Sequence, residues 1–179
     1  NVGKLDSSSV GDFISMAKEN FDKGYISGAT QWNDDWLPQG MSDGAQANKA
    51  FGFFFPTWAI GQGGSLEQAE GGEGGSTYGK YALCEGPTSW FWGGTWICAA
   101  AGTDNTAAIA DIMRSLTCDK AIMKQITEDT QDYTNNAPAM EELASSDFKS
   151  DFLGGQNHIA LFAAAAPNID MSNAGPYDQ

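Results

Sequence analysis

Aromatic side chains that could bind a ligand are concentrated in residues 86–96, where the sequence reads Gly-Pro-Thr-Ser-Trp-Phe-Trp-Gly-Gly-Thr-Trp. Trp90 and Trp92 supply two indole rings, and Gly93 and Gly94 expose the backbone beside them. A sugar has an apolar C–H face that stacks on an indole and hydroxyls that need hydrogen-bond partners. The stretch therefore predicts a carbohydrate-binding surface. The alternative is a buried core cluster, because Trp is highly buried on average.

Two further tryptophans are candidate ligand-binding residues. Trp58 follows Pro56, and proline suits the start of a helix. The unpaired N–H groups of that helix start would lie beside the indole of Trp58 and could bind hydroxyls. A core position is the alternative for Trp58. Trp32 lies in the polar, aromatic segment 31–36 and completes the predicted set of ligand-binding residues.

Residues that could catalyse a reaction are few. Asp34 and Asp35 are paired between two tryptophans, but a glycosidase needs carboxylates that face each other across a bond at about 5 to 9.5 Å, and neighbours on a helix point in different directions. We therefore interpret both as solvated or capping acids. His158, the single histidine, lacks a second metal ligand or a nucleophile motif nearby, which favours a capping or surface role. The sequence predicts no catalytic residue, metal or cofactor.

The charge balance limits the class of partner. The chain carries 23 acidic against 9 basic residues, a formal net charge of −14. Nucleic acids and anionic membrane surfaces are bound through Lys and Arg, so both partners are disfavoured. No apolar run approaches the roughly 20 residues that span a bilayer. Three cysteines without CxxC spacing are interpreted as buried free thiols, although Cys84 and Cys98 lie in two predicted strands and could face each other.

The elements that must position these residues are mostly helical. A capping box at Ser9 and an apolar face repeating every three to four residues predict a first helix that ends at Gly24 and packs on a core. Further helices are predicted from Asp104, from Thr117 or Asp119, over residues 138–144, and before Pro167. Strands are predicted at 49–55, 81–84 and 95–101, and a long surface loop at 61–79.

The order of these pieces carries a family resemblance. Its motifs are Gln-Trp-Asn-Asp-Asp-Trp at 31–36, Phe-Gly-Phe-Phe-Phe-Pro-Thr-Trp at 51–58, Tyr-Ala-Leu-Cys-Glu-Gly-Pro at 81–87, Trp-Gly-Gly-Thr-Trp at 92–96, Asn-Asn at 135–136 and Phe-Leu-Gly-Gly-Gln-Asn at 152–157. Together they resemble the bacterial extracellular solute-binding proteins that serve carbohydrate ABC importers. The resemblance covers residues 8–179.

The resemblance implies an α/β fold of the class II periplasmic-binding-protein type. Residues 1–179 would be its C-terminal lobe, a helix-rich lobe with a small sheet, without the N-terminal lobe and the final helices. It also implies that Trp58 stacks on sugar and that Trp92, Gly93 and Gly94 line the cleft between lobes. One lobe presents half of that cleft, so we expect weak sugar binding.

The expected function is sugar binding without covalent chemistry, followed by delivery to the permease subunits of an ABC importer. The expected location is extracellular, as a membrane-anchored lipoprotein or in the periplasm, and the isolated fragment is expected to be monomeric. A glycosidase and a carbohydrate-binding module remain as alternatives. The module would be built of many short strands.

Overall fold

The computed structural model describes residues 8–26, 28–34, 36, 52–70, 72–75, 77–172 and 174–175. The chain divides into two units, Asn1–Ala50 and Phe51–Gln179.

The described residues of the first unit contain one long helix, α1, at Ser8–Asp22. Gly24 follows it with a positive φ of 69°, the left-handed conformation that commonly ends helices, so the predicted end of the helix is confirmed. Lys18 pairs with Asp22, and Lys23 with Glu19, one turn apart on its surface. The apolar face is largely exposed: Phe13 is 63% and Phe21 61% accessible. The prediction that this face packs on a core is therefore not confirmed.

The second unit contains five α-helices and three short 3-10 helices among the described residues. The α-helices are α2 Ser65–Glu70, α3 Thr106–Cys118, α4 Lys120–Thr130, α5 Ala137–Ala144 and α6 His158–Ala165. The 3-10 helices are Thr57–Ala59, Gly72–Gly74 and Ala166–Asn168. The predictions of α3 to α6 are confirmed. The loop predicted at 61–79 is wrong, because α2 and a 3-10 helix interrupt it, and Leu66 of α2 is buried.

Side-chain caps fix where three of these helices begin. Asp119, Asn136 and Asn157 each accept a hydrogen bond from a backbone N–H in the first turn of α4, α5 and α6 respectively. Such a cap satisfies an N–H that has no partner within the helix and contributes about 1 kcal/mol.

The core of the second unit lies between α5 and α6. Its fully buried apolar side chains are Ala139, Met140, Leu143 and Ile159. Helix α4 joins this core through Thr127, whose buried hydroxyl lies 3.6 Å from the sulfur of Met140. On the surface, Lys120 and Lys124 of α4 both pair with Glu142 of α5, at 2.8 and 2.5 Å. These two ammonium groups lower the pKa of Glu142 to about 2, chiefly through hydrogen bonds.

The predicted α/β fold class is wrong. Helix accounts for 47% of the described residues, and these residues form no strand and no sheet. The segments 52–55, 81–84 and 95–100 have strand-like composition but no regular structure, and the nearest approach to pairing is a single antiparallel bridge between Ser150 and Gln156. Strand propensity reflects packing against neighbouring strands, so strand-like composition does not itself supply a partner. Residues 49–51 of the first predicted strand lie outside the described residues.

Among the described residues, none of the helices combines the length and the apolar character that crossing a bilayer requires.

Candidate functional site

Eight aromatic rings of the second unit form a connected series, which we call the aromatic row. In ring-to-ring order it consists of Trp90, Trp92, Trp58, Phe55, Phe53, Tyr81, Phe152 and Tyr78. Neighbouring ring centroids lie 4.9 to 6.4 Å apart, within the range of favourable aromatic contact. The row therefore brings together residues from four segments, 53–58, 78–81, 90–92 and 152.

One end of the aromatic row is open to solvent. Trp58 and Trp92 meet edge to face, with centroids 6.4 Å apart and planes at 76°. Trp90 lies 5.4 Å from Trp92 on its other side. Trp92 is 48% and Trp90 39% accessible, whereas Trp58 is half-buried. These three indoles share one cluster and leave ring surface uncovered, as a stacking ligand requires.

Close backbone packing holds Trp58 in place. Pro56 caps the 3-10 helix Thr57–Ala59, in which the N–H of Ala59 donates to the carbonyl of Pro56 at 3.1 Å. A Cβ at Gly64 would lie 2.7 Å from the carbonyl oxygen of Trp58, so only glycine fits there. Ala59 itself is fully buried. The predicted helix start at Pro56 is thus confirmed as one short 3-10 turn, which carries Trp58 in its middle.

The other end of the aromatic row is fixed to the helical core. The ring of Tyr81 stacks on that of Phe152, with centroids 4.9 Å apart and planes at 22°. Phe152 is buried, and its carbonyl oxygen accepts a hydrogen bond from the N–H of Gly79 at 3.1 Å. Gly154 has a φ of +63°, and a Cβ there would lie 2.7 Å from the carbonyl oxygen of Gly79. Glycine at 154 thus permits the close approach that brings Tyr81 to Phe152.

The side chain of Gln156 makes the hydrogen bonds to the backbone of Leu83 that a neighbouring strand would otherwise make. Its side-chain oxygen accepts a hydrogen bond from the N–H of Leu83 at 2.7 Å, and its side-chain nitrogen donates to the carbonyl of Leu83 at 2.8 Å. Both polar backbone groups of Leu83 are thereby satisfied without a sheet. Gly154, Gly155 and Gln156 belong to the motif at 152–157, for which the sequence indicates no role. The structure assigns Gln156 a structural role next to the aromatic row.

The remaining predicted ligand-binding residues are Gly93, Gly94 and Trp32. Gly93 and Gly94 directly follow Trp92 and are exposed, and a Cβ at either would meet no atom within 4 Å. Trp32 lies in the first unit, 71% accessible, with its ring edge-on to Trp36 at 4.8 Å. Within the second unit, the structure thus brings all three candidate tryptophans together.

The electrostatic setting of the aromatic row differs between its two ends. Residues 86–103 include no Asp, Glu, Lys or Arg, so the exposed end lies on an uncharged stretch. At the other end, burial raises the pKa of Tyr78, and Glu67 and Asp151 raise it further. Its phenol therefore stays neutral across the physiological pH range and can donate a hydrogen bond.

His158 lies in the interior, so the predicted capping or surface role is wrong. Its side chain is fully buried between the rings of Phe148 and Phe162, and Nε2 lies 2.7 Å from the carbonyl oxygen of Gln131. The cap of α6 is Asn157. Burial lowers the pKa of His158, because desolvation opposes the charged imidazolium more than the Gln131 carbonyl favours it. This histidine is a neutral core residue.

The cysteines also differ from the sequence-based interpretation. Cys84, Cys98 and Cys118 are free and exposed, not buried, and Cys84 does not pair with Cys98. In the part of the chain that the structure describes, His, Cys, Asp and Glu form no group of three or more that could hold a metal ion.

No model of a protein family, no curated protein and no solved structure matches this chain.

Proposed function

We propose that this chain binds carbohydrate without altering it, and that the sugar stacks on the indoles of Trp58, Trp90 and Trp92. The observation that carries the proposal is the contact between Trp58 and Trp92, two residues from separate segments whose rings lie 6.4 Å apart beside exposed Trp90. Clustered, partly exposed indoles provide both apolar ring faces and N–H donors, which together suit a sugar.

The charge distribution favours a neutral ligand. The net charge of −14 repels anions at long range, and the uncharged stretch 86–103 offers no cation that could compensate an acidic sugar. Neutral oligosaccharides are therefore the class of ligand that this surface fits.

The two alternative functions are less well supported. A glycosidase requires two opposed carboxylates at the bond that is broken, and the stretch carrying Trp90 and Trp92 contains no acidic residue from 86 to 103. A carbohydrate-binding module is expected to consist of many short strands, whereas the described residues are helical and include none.

The physiological role that we propose for sugar binding is delivery to the permease of an ABC importer, outside the cytoplasmic membrane. This part of the proposal rests on the sequence motifs at 31–36, 51–58, 81–87, 92–96, 135–136 and 152–157 alone.

A fluorescence titration tests the binding site. Maltohexaose, cellohexaose, xylohexaose and mannohexaose are titrated separately into the millimolar range while Trp emission is followed. Trp92 exposes roughly 120 Å² of an indole of about 250 Å², and a sugar on one ring face covers about half of that, which at about 25 cal/mol per Å² is worth ~1.5 kcal/mol. Trp92→Ala should therefore weaken binding about tenfold.

Trp96→Ala is the matched control. Trp96 lies on the same stretch and is 70% accessible, but it lies outside the aromatic row. We expect this variant to bind like the wild type. Equal losses in both variants, or no response to any of the four sugars, would contradict the proposed function.

A further inference from the structure

The segment formed by residues 95–100 is exposed, and its backbone is not hydrogen-bonded along most of its length. It runs without a helix, turn or bend, and every residue in it is exposed, with Trp96 70% and Ile97 37% accessible. Among the described residues, no hydrogen bond involves the backbone of residues 90–99. Unpaired N–H and C=O groups along a strand-like segment are a template for pairing with another chain.

The composition of this segment favours a second copy of the same chain as the partner. Segments that pair with themselves combine high strand propensity with low charge and no proline, as Thr-Trp-Ile-Cys-Ala-Ala does. Two copies with a net charge of −14 each repel each other over most of their surface. Residues 86–103 contain no charged side chain, so contact there brings no like charges face to face.

We propose that two copies of this chain associate by antiparallel pairing of residues 96–100, with Cys98 opposite Cys98 of the second copy. In this register Trp96 of each copy faces Ala100 of the other, and Ile97 faces Ala99. Each large side chain therefore meets a small one, which allows close packing on both faces. This association goes beyond sugar binding and departs from the monomer expected from the sequence.

The register brings two exposed thiols together. Opposed residues in an antiparallel pair have Cα atoms about 4.5 or 5.5 Å apart, and a disulfide spans about 4.4 to 6.8 Å between Cα atoms. A mild oxidant such as copper phenanthroline accepts the two electrons released when two Cys98 thiols become one disulfide. Oxidation therefore traps the proposed dimer covalently.

Cross-linking tests the register, because Cys84 and Cys118 are also exposed free thiols and serve as internal controls. The Cys84→Ser/Cys118→Ser variant, with Cys98 as its remaining cysteine, should form a covalent dimer on oxidation, seen by non-reducing electrophoresis. The Cys98→Ser variant should form much less. Equal cross-linking in both variants, or none in the first, would overturn the proposal.

A pair of double variants tests the contact without oxidation. In Ile97→Lys/Ala99→Lys, like charges face each other twice in the dimer, so sedimentation equilibrium should give a dissociation constant about tenfold higher than in the wild type. In Ile97→Lys/Ala99→Glu, opposite charges face each other, and dimerisation should persist. Both positions are exposed in the monomer, and circular dichroism verifies that each variant keeps its helices.

The like-charge variant lowers the magnitude of the net charge from 14 to 12, so reduced general repulsion would act against the predicted loss of dimer. A wild-type chain that stays monomeric, or identical dissociation constants for the two double variants, would refute this pairing. Sugar binding is measured separately with Trp92→Ala, so either proposal can fail while the other holds.

Discussion

Replacing Gln156 with leucine removes the two hydrogen bonds that satisfy the backbone of Leu83. The lost contacts are 2.7 Å to the N–H and 2.8 Å to the carbonyl of Leu83. A typical intramolecular hydrogen bond contributes about 0.5 to 1.5 kcal/mol net, so the pair contributes about 1 to 3 kcal/mol. Leu83 is half-buried, so water replaces these bonds only in part. We expect Gln156→Leu to lower the free energy of unfolding by that amount.

Urea unfolding followed by circular dichroism measures this loss. Gln125→Leu is the matched control, because Gln125 is an exposed residue of α4 whose amide contacts the carboxylate of Asp129, and the expected change is below about 0.5 kcal/mol. Gln156→Glu should lie between them, since a carboxylate accepts from the Leu83 N–H but cannot donate to its carbonyl. Amide exchange at Leu83 should accelerate in Gln156→Leu. An unchanged free energy of unfolding in this variant would refute the structural role of Gln156.

Two further predictions concern the same half of the second unit. Gly154→Ala should destabilise the protein by at least about 1 kcal/mol more than Gly155→Ala. Both residues have positive φ, but a Cβ at 154 also meets the carbonyl of Gly79. Urea unfolding of the two variants measures the difference, and equal losses would contradict the contact. His158 has a folded pKa below its ordinary value of 6.5, so the unfolded state binds more protons as the pH falls. The stability contributed by neutral His158 is therefore complete above pH 6.5 and declines below it. His158→Gln should flatten the dependence of the unfolding free energy on pH below 6.5. An unchanged slope would contradict the conclusion that burial lowers the pKa of His158.

The helices were largely predictable because their signals are local. A glycine ends α1, and asparagines cap α5 and α6, all within a few residues of the helix end concerned. The burial of His158 was not predictable in the same way, because it depends on Phe148 and on the carbonyl of Gln131, which the sequence does not place nearby.

The strand predictions failed because strand pairing, like the burial of His158, depends on residues that are distant in the sequence. The composition of residues 81–84 and 95–100 is typical of strands, but a strand exists only where another segment pairs with it. At Leu83 the partner is one side chain, Gln156, which lies 73 residues further along the chain. Pairing over that distance depends on the tertiary fold, and neither segment carries a local signal for it.

The candidate site was partly predictable. The sequence predicts Trp58 and Trp92, which lie in separate segments, as ligand-binding indoles, and their rings are in contact. The intervening ring series through Phe55, Phe53 and Tyr81 was not foreseen, although aromatic residues at 53, 55 and 81 were the available signal. That Trp58 and Trp92 bind a sugar stays a prediction.

Indole N–H resonances test the proposed binding surface most directly. In a ¹H–¹⁵N spectrum of the ¹⁵N-labelled chain, assigned by single Trp substitutions, we expect the neutral hexasaccharide that binds to shift the indole signals of Trp58, Trp90 and Trp92 together along one saturation curve. The signal of Trp96, which is more accessible to solvent than the other three indoles but lies outside the aromatic row, should stay in place. Shifts confined to Trp96 or Trp32, or no shift with any of the four sugars at millimolar concentration, would contradict carbohydrate binding at this site.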